Sequence, residues 1–276
     1  RSSAQLVRVQ TPSNDDNVEL EGRVFLDVRG WQGSFGAGLM YEALPETLWL
    51  AASYQAPPGM YRDMELNGEL ITEFASGPNS TDVVLFQQLP DIVRVGARYR
   101  VDPDLELRLY GNYIHWSVFE AQCVARLDHV QEADQNGNPC DLDERGAPPE
   151  NAPSPAAVAQ RRFQDAFNLR LGVSYWATPA WELVAGVGWD GSAIPDATLE
   201  PALYDADDFE LSLGARLTLN QHVALALSHT HVQYLPRENQ GKGSFEQFAG
   251  ASKSPPSEGT FSSWVGLTNA NVELAF

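Results

Sequence analysis

The segment FNLRLGVSYWA, residues 167–177, alternates apolar and polar side chains with a period of two. Phe167, Leu169 and Leu171 stand at its odd positions, and Asn168 and Arg170 stand between them. Three further segments repeat this pattern, namely WELVAGVGWD (181–190), FELSLGARLTL (209–219) and HVALALSHTHVQY (222–234). A period of two is typical of a β-strand with one apolar face, and a tilted strand needs about 9–11 residues to cross a bilayer. The four segments therefore predict strands of membrane-spanning length.

Two features separate a membrane barrel from a soluble β-sandwich, which would show the same alternation. Aromatic residues end the apolar faces, as at Tyr175, Trp189 and Phe209, and charges such as Arg170 and Arg216 stand in mid-strand on the other face. An apolar band with aromatic girdles around a polar interior is the pattern of an outer-membrane barrel. The sequence thus favours an all-β fold, a transmembrane antiparallel β-barrel.

The composition argues against several other classes of protein. The chain has 276 residues and a formal net charge of -19, so a nucleic-acid partner is not expected, because phosphate binding requires a basic surface. Mean hydropathy is -0.29 and no apolar run reaches the length of a transmembrane helix. One domain spanning residues 1–276 accommodates this length. No motif predicts a cofactor.

Connections between the predicted strands alternate between short and long. We count ten or eleven strands, with residues 1–17 poorly defined and residues 120–162 forming the longest strand-free region, rich in Pro, Asp, Glu and Asn. Outer-membrane barrels pair short periplasmic turns with long extracellular loops. We therefore expect the 120–162 loop to be extracellular and the carboxy terminus to be periplasmic.

The last predicted strand, SSWVGLTNANVELAF (262–276), ends on Phe276. An alternating strand with a terminal aromatic looks like the signal that the outer-membrane assembly machinery reads. We expect that machinery to be a partner through Phe276.

The order of these pieces resembles the FadL-type outer-membrane transporters of long-chain fatty acids and other hydrophobic compounds. The matching stretches are residues 36–56, 89–120 and 167–201, followed by DDFELSLGARL (207–217). The link WDGSAIPD (189–196) is similar to the family's aromatic, small residue and proline before the next strand. The resemblance covers most of residues 18–276.

The resemblance implies a fourteen-stranded barrel in the bacterial outer membrane, plugged by an amino-terminal hatch, that releases its ligand sideways to membrane lipids. The hatch, its plug motif and the first strands have no counterpart here. The chain also begins at Arg1 without an initiator Met or signal peptide. We expect either that an amino-terminal part is absent from this sequence or that the chain departs from the family, and no lateral-gate residue is carried over.

The two cysteines, Cys123 and Cys140, lie in one loop-like region of an expected envelope protein, so we predict a disulfide between them. The same loop contains alternating oxygen ligands that resemble a calcium loop but lack its sixth-position Gly and its distant Glu. A solvated loop is the favoured interpretation, and the weak calcium candidates are Asp134, Asn136, Asn138, Asp141 and Asp143. His229 and His231 are assigned to the outer rim rather than to a metal site.

Arginines on the polar faces are the main candidates for a ligand site, because a guanidinium with spare donors binds a carboxylate head group. They are Arg94, Arg98, Arg108, Arg170 and Arg216. Inward aromatic residues that could line an apolar wall are Trp49, Tyr110, Trp116 and Trp176. The alternative is that these arginines pair with the inward acids and stiffen the lumen. Arg98 and Arg170 are the favoured ligand partners, since each stands in mid-strand beside small or aromatic residues.

Three functions remain open from the sequence. A passive transporter of hydrophobic compounds, most simply long-chain fatty acids, is favoured. An outer-membrane lipid-modifying enzyme is less well supported, since no serine is paired with His and Asp in a recognisable order. A structural or adhesive barrel is the third. A catalytic triad would favour the enzyme, and a solidly packed lumen would favour the structural role.

Overall fold

A computed structural model describes residues 2–10, 22–74, 77–133, 137–144, 146–200, 203–242 and 258–275, with the side chains of residues 2–10 left aside. The strands in chain order are β1 (Ser2–Gln10), β2 (Gly22–Gly30), β3 (Gly36–Leu44), β4 (Leu48–Gln55), β5 (Met64–Phe74), β6 (Gly77–Gln87), β7 (Ile92–Asp102), β8 (Leu105–Ile114), β9 (Ala121–Arg126), β10 (Ala157–Gln160), β11 (Ala166–Thr178), β12 (Trp181–Asp190), β13 (Asp208–Asn220), β14 (Val223–Tyr234), β15 (Arg237–Glu238), β16 (Thr260–Phe261) and β17 (Trp264–Leu274). A short helix, α1 (Leu127–Gln131), and 3₁₀ turns at Trp116–Val118 and Asp196–Thr198 complete the described elements. Within these ranges no helix is long and apolar enough to span a membrane.

Nine antiparallel strands form the main sheet, in the order β17-β14-β13-β12-β11-β8-β7-β4-β3. Its strands are joined by short turns at one end, the short-turn end, as at residues 45–47, 103–104, 179–180 and 221–222. All longer connections leave from the opposite end, the long-loop end. The alternation of short and long connections is as the sequence predicts. In the described residues β3 and β17 are not paired with each other, so the sheet is open at these two edges.

One face of the main sheet is apolar and exposed. Leu171, Val187 and Leu211 lie opposite one another across β11, β12 and β13, and about half of each side chain is accessible. Aromatic residues border this face at both ends, with Phe167, Trp189 and Phe209 at the long-loop end and Tyr99, Tyr175 and Trp181 at the short-turn end. The predicted outward face is confirmed, because these side chains do not pack in a closed sandwich core. They form the band that contacts lipid.

A second sheet of six strands, here called the cap sheet, has the order β1-β2-β5-β6-β9-β10. Its strands are continuous with the main sheet at the long-loop end: β2 leads into β3, β4 into β5, β6 into β7, β8 into β9 and β10 into β11. The alternation in residues 18–28 and in MELNGELITEF (64–74) predicts two further barrel strands, but the corresponding β2 and β5 belong instead to this cap. The main sheet therefore has nine strands rather than ten or eleven.

The cap sheet is packed on both faces. Leu66, Val83 and Leu85 belong to one buried cluster, whereas Val84 and Phe86 belong to another that includes Cys123 and contacts α1. The expectation that residues 120–162 contain no strand is therefore wrong, because β9 and β10 pair with each other and β9 also pairs with β6. Packing of β9 and β10 as strands of the cap sheet gives this region its structure.

The predicted disulfide is confirmed, with Cys123 on β9 bonded to Cys140. The calcium candidates Asp134 and Asn136 lie outside the described residues. Asn138 and Asp143 each accept a backbone N–H in a local turn, from Cys140 and Ala147 respectively. Phe276 also lies outside the described residues, so its assembly role stays a prediction.

Leu213 lies in the middle of β13 on the apolar face, and Leu219 lies on the same face near the end of that strand. Replacing Leu213 with Arg should lower the free energy of unfolding by about 2–4 kcal/mol, because a charge near the bilayer midplane is poorly solvated. Leu219→Arg is the matched control and should cost about 0–1 kcal/mol near the interface. Reversible urea unfolding in lipid vesicles measures both, and equal costs at the two depths would contradict the membrane assignment.

Replacing both Cys123 and Cys140 with Ser should destabilise the cap while leaving the main sheet intact. The cross-link closes a segment of 17 residues, and a loop of this length is worth about 3 kcal/mol in the chain-entropy model. Limited proteolysis should cleave residues 120–162 faster in the variant, whereas heat-resistant migration of the barrel should be unchanged. Equal cleavage rates in oxidised and Ser-substituted protein would show that the disulfide does not hold the cap.

Candidate functional site

The polar face of the main sheet carries charges of opposite sign on its two sides. On β7 and β8 the mid-strand charges are basic except for one, and they are Arg94, Arg98, Arg100, Glu106 and Arg108. On β12 and β13 the charges are acidic except for one, and they are Glu182, Asp190, Asp208, Glu210 and Arg216, of which Asp190 and Asp208 stand at the long-loop ends of their strands. Arg170 on β11 stands between the two groups. The polar face of the main sheet thus has a basic wall on β7 and β8 and an acidic wall on β12 and β13.

Glu106 is the centre of the basic wall. Its side chain is fully buried and accepts hydrogen bonds from Arg98 Nε at 2.6 Å and from Arg108 Nε at 2.7 Å. Trp49 supports this group, because the Arg98 guanidinium lies 4.7 Å from its ring centroid. One carboxylate thus serves two arginines, and the wall keeps an excess of positive charge.

Two arginines of the basic wall have no carboxylate partner among the described residues. Arg94 donates to Gln55 Oε1 at 3.2 Å. Arg100 lies 5.6 Å from the Trp176 ring, and its Nε is enclosed without a hydrogen-bond acceptor. The sequence analysis did not include Arg100 among the ligand candidates, although Arg100 lies on the same face of β7 as Arg94 and Arg98.

The two favoured arginines are both ion-paired, although Arg98 shares its carboxylate with Arg108. Arg98 pairs with Glu106, and Arg170 pairs with Glu210 at 2.8 Å and with Asp190 at 2.6 Å. The physical reason is register, since strand pairing brings inward acids within reach of each guanidinium. Arg216 behaves in the same way and bonds Glu273 at 2.7 Å. A direct ligand contact by any of these three stays a prediction.

An apolar pocket of about 390 Å³ opens at the long-loop end. Its walls include Ile114, Trp116, Phe163, Phe167 and Ile194. Three aromatic rings pack behind it, because Phe163 lies 5.7 Å from Trp116 and 5.0 Å, edge on, from Phe119. The polar groups that reach the pocket include Asn168, Asp190 and Asp205, and no arginine is among its lining residues. Tyr110 pairs in register with Arg170 and does not line this pocket.

The connection between β12 and β13 forms one side of this pocket and is organised by Arg237. The Arg237 guanidinium donates to the carbonyl oxygen of Ile194 at 2.7 Å, to that of Asp205 at 3.0 Å and to the carboxylate of Asp196 at 2.5 Å. Lys242 also binds Asp196, at 2.6 Å, and the two cations lower the pKa of the Asp196 carboxyl. This loop is therefore held in place by charge rather than by regular secondary structure.

A second and more open recess of about 480 Å³ lies beside Arg94. Phe35, Tyr54 and Gln55 contribute to its lining, together with small residues of β3 such as Gly36 and Gly38. Arg94 is the charged residue of this lining and is one of the arginines that the sequence analysis selected.

The histidines of β14 make ordinary contacts. His229 Nδ1 is 2.9 Å from the Thr268 hydroxyl, and His231 stacks on Trp264 with ring centroids 5.7 Å apart. Among the described residues, neither belongs to a cluster of metal-ligating side chains. The cluster that does form there joins Asp190, Asp208 and Glu210 on β12 and β13. Sequence reasoning missed it, because the three residues are brought together only by strand register.

Comparison with known proteins agrees with this architecture. The family model described as "Outer membrane protein transport protein (OMPP1/FadL/TodX)" matches residues 14–254. The "Long-chain fatty acid transport protein" of Escherichia coli (strain K12) is 23% identical over 243 residues, which are 84% of this chain and 48% of that protein. The chain thus spans about half the length of the curated relatives it matches.

Solved structures show the same fold at low sequence identity. A Pseudomonas aeruginosa FadL homologue matches with a TM-score of 0.66 and 13% identity, covering 98% of this chain and 60% of that one. The Ralstonia pickettii toluene transporter TbuX matches with a TM-score of 0.57 and 14% identity, covering 99% of this chain and 59% of that one. With its exposed apolar band, its polar inner face and a family match over most of its length, the chain belongs to the OMPP1/FadL/TodX family of bacterial outer-membrane transport proteins.

Proposed function

We propose that this chain forms part of a passive route for hydrophobic compounds across the outer membrane and that long-chain fatty acids are among its substrates. The observation that carries the proposal is the apolar pocket of about 390 Å³ at the long-loop end, lined by Trp116, Phe163 and Phe167. Its volume falls in the range of about 300–1,000 Å³ typical of small-molecule sites. In this proposal the pocket faces the outside and residues 1–276 act as one domain, with membrane lipids receiving the ligand.

The fatty acid carboxylate needs a cation along the way, because a bare charge in a low-dielectric lumen is strongly disfavoured. Arg94 and Arg100 support this part of the proposal, since each lacks a described carboxylate partner, Arg94 lines a recess of the polar face, and Arg100 lies beside the Trp176 ring. They stand on one strand with Arg98 between them. A carboxylate can then pass along β7 from one guanidinium to the next while its chain stays against the lumen wall.

A monoaromatic hydrocarbon is the second candidate substrate. The described pocket has aromatic walls, and its charged lining residues, Asp190 and Asp205, are both acidic. An uncharged ring is not repelled by these carboxylates, whereas a fatty acid head group is. A fatty acid head group is therefore favoured at the basic wall, whereas an uncharged hydrocarbon is not repelled at the acidic wall.

Catalysis is not part of the proposal. His115 and Asp91 are bonded at 2.9 Å, which is half of a possible relay. Within the described ranges, however, no hydroxyl or thiol is hydrogen-bonded to the His115 ring. A nucleophile activated by a neighbouring base is the minimum for an acyl-transfer enzyme of this kind. The described pocket also argues against a purely structural barrel.

Binding by the purified protein in detergent should distinguish the substrates. In this assay, palmitate, the corresponding uncharged alcohol hexadecanol, and toluene are each tested for displacement of a bound fluorescent fatty acid. Arg94→Gln and Arg100→Gln should weaken palmitate binding about tenfold each, as expected when a charge-assisted hydrogen bond of about 1.5–3 kcal/mol is lost. Hexadecanol binding should not change. Arg216→Gln is the matched control, because that guanidinium is already paired with Glu273.

Two results would contradict different parts of this proposal. Equal palmitate affinity in wild type and in both Gln variants would remove the role of the arginines and leave the apolar route standing. Failure of all three solutes to compete would overturn the transport function itself. Flux of the same solutes into vesicles containing the protein gives an independent check.

Glu106→Gln should have the opposite effect on palmitate. The substitution frees the Arg98 and Arg108 guanidinium groups, so palmitate should bind several-fold more tightly while hexadecanol is unaffected. The protein should also unfold more easily, by up to about 3 kcal/mol, although half-exposed arginines reduce that cost through solvent screening. Glu182→Gln on the acidic wall is the control and should leave palmitate affinity unchanged. Weaker palmitate binding by Glu106→Gln would mean that the ion-paired geometry itself forms the site.

A further inference from the structure

Three carboxylates converge at the long-loop end of β12 and β13. Ligand oxygens of Asp190, Asp208 and Glu210 all lie within 4.8 Å of one another. Asp190 and Asp208 are directly opposite in the strand register, and Glu210 is opposite Gly188. Like charges placed opposite each other on adjacent strands are destabilising, so this arrangement needs a compensating charge.

Arg170 supplies only part of that compensation. It bonds Glu210 through Nε at 2.8 Å and Asp190 through Nη2 at 2.6 Å. One guanidinium charge thus faces three carboxylates. Asp208 receives no ion pair or hydrogen bond from the described residues, although it is only 6% exposed.

The unpaired oxygens are what separates this cluster from an ordinary acidic patch. Asp208 Oδ1 and Asp190 Oδ1 are both enclosed and have no hydrogen-bond donor. A buried polar atom without a partner costs free energy, and a buried charge without one costs more. These two atoms belong to the opposed residues whose oxygens already converge. The free lone pairs are therefore available to one common cation.

We infer that Asp190, Asp208 and Glu210 form a binding site for a divalent cation of the calcium type. The ligand set is made of oxygen only, which suits Ca²⁺ and excludes the nitrogen or sulfur sites that zinc and copper prefer. Ca²⁺ accepts irregular geometry and 6–8 ligands, some of which are water. Asp190 also lines the apolar pocket, which opens to solvent, so water reaches the remaining coordination positions.

Gly188 leaves the space that the site requires. A Cβ atom at this position would lie 2.7 Å from Glu210 Oε2 and 3.1 Å from Arg170 Cγ. A side chain there would displace the Glu210 carboxylate or the Arg170 side chain from its present position without changing any charge. Gly188→Ala therefore tests the geometry separately from the electrostatics.

The test uses the purified full chain in detergent free of lipopolysaccharide, stripped with a chelator and titrated with CaCl₂ in a calorimeter. Wild type should bind one Ca²⁺ saturably, and Ca²⁺ should raise its Tm. Asp208→Asn and Glu210→Gln should each weaken Ca²⁺ binding at least tenfold, and Gly188→Ala should weaken it several-fold. Glu182→Gln, a carboxylate on the same strand β12, should bind Ca²⁺ like wild type.

Absence of saturable Ca²⁺ binding by wild type overturns the inference whether or not any variant folds. Unchanged Ca²⁺ affinity in Asp208→Asn and Glu210→Gln overturns it as well. If wild type does not bind Ca²⁺ and Asp208→Asn has a higher Tm than wild type in chelator, the negative charge of the cluster is compensated by a proton shared between carboxylates and not by a cation. Neither palmitate, hexadecanol nor toluene is added in these measurements, so their outcome is independent of the transport proposal.

Discussion

Inside a bilayer every backbone N–H and C=O must find a partner within the protein, because hydrocarbon offers none. The main sheet meets this requirement with an unbroken antiparallel ladder from β17 to β3. Each of these edge strands has one hydrogen-bonded neighbour among the described residues, and an edge that lies in the membrane requires a pairing partner on its other side. The ladder also fixes which side chains face out, since successive residues of a strand point to opposite faces. The apolar band, the aromatic borders and the polar inner face all follow from that single requirement.

The same ladder sorts the charges of the lumen. Register places Arg98 and Arg108 on neighbouring strands with Glu106 beside them, and it places Asp190 opposite Asp208. One wall is consequently rich in guanidinium groups and the other in carboxylates. The polar inner face is therefore not uniform in charge. In the proposed transport route, the charge of the nearer wall distinguishes a solute with an anionic end from an uncharged one.

The parts of the structure that repeat every two residues could be predicted from sequence, and the parts fixed by distant pairing could not. β11 to β14 alternate cleanly, so their ends, outward faces and short turns were predictable. The run VVLF at residues 83–86 is continuously apolar because both faces of β6 are covered, and an alternation search passes over it. β2 and β5 alternate as barrel strands do, yet they belong to the cap. Only the pairing of β2 with β5 and of β5 with β6 reveals this.

The candidate site shows the same division. The alternation of side chains along each strand predicted which arginines face inward. The expected location in the cell envelope predicted the disulfide between Cys123 and Cys140. Which arginine is neutralised depends on the acid that register brings alongside. Arg98 and Arg170 are paired for that reason, and Arg94 and Arg100 lack a described carboxylate. A sequence pattern has no access to this information, because Arg170 and Glu210 are 40 residues apart in the chain.

The connections of the cap strands have a consequence for stability. These strands alternate along the chain with those of the main sheet, because β5 and β6 lie between β4 and β7, and β9 and β10 lie between β8 and β11. The two buried clusters of the cap draw residues from β2, β5, β6 and β9 together. The cap core therefore joins the long-loop ends of β3, β4, β7, β8 and β11, and separating these strands at that end requires the cap core to open.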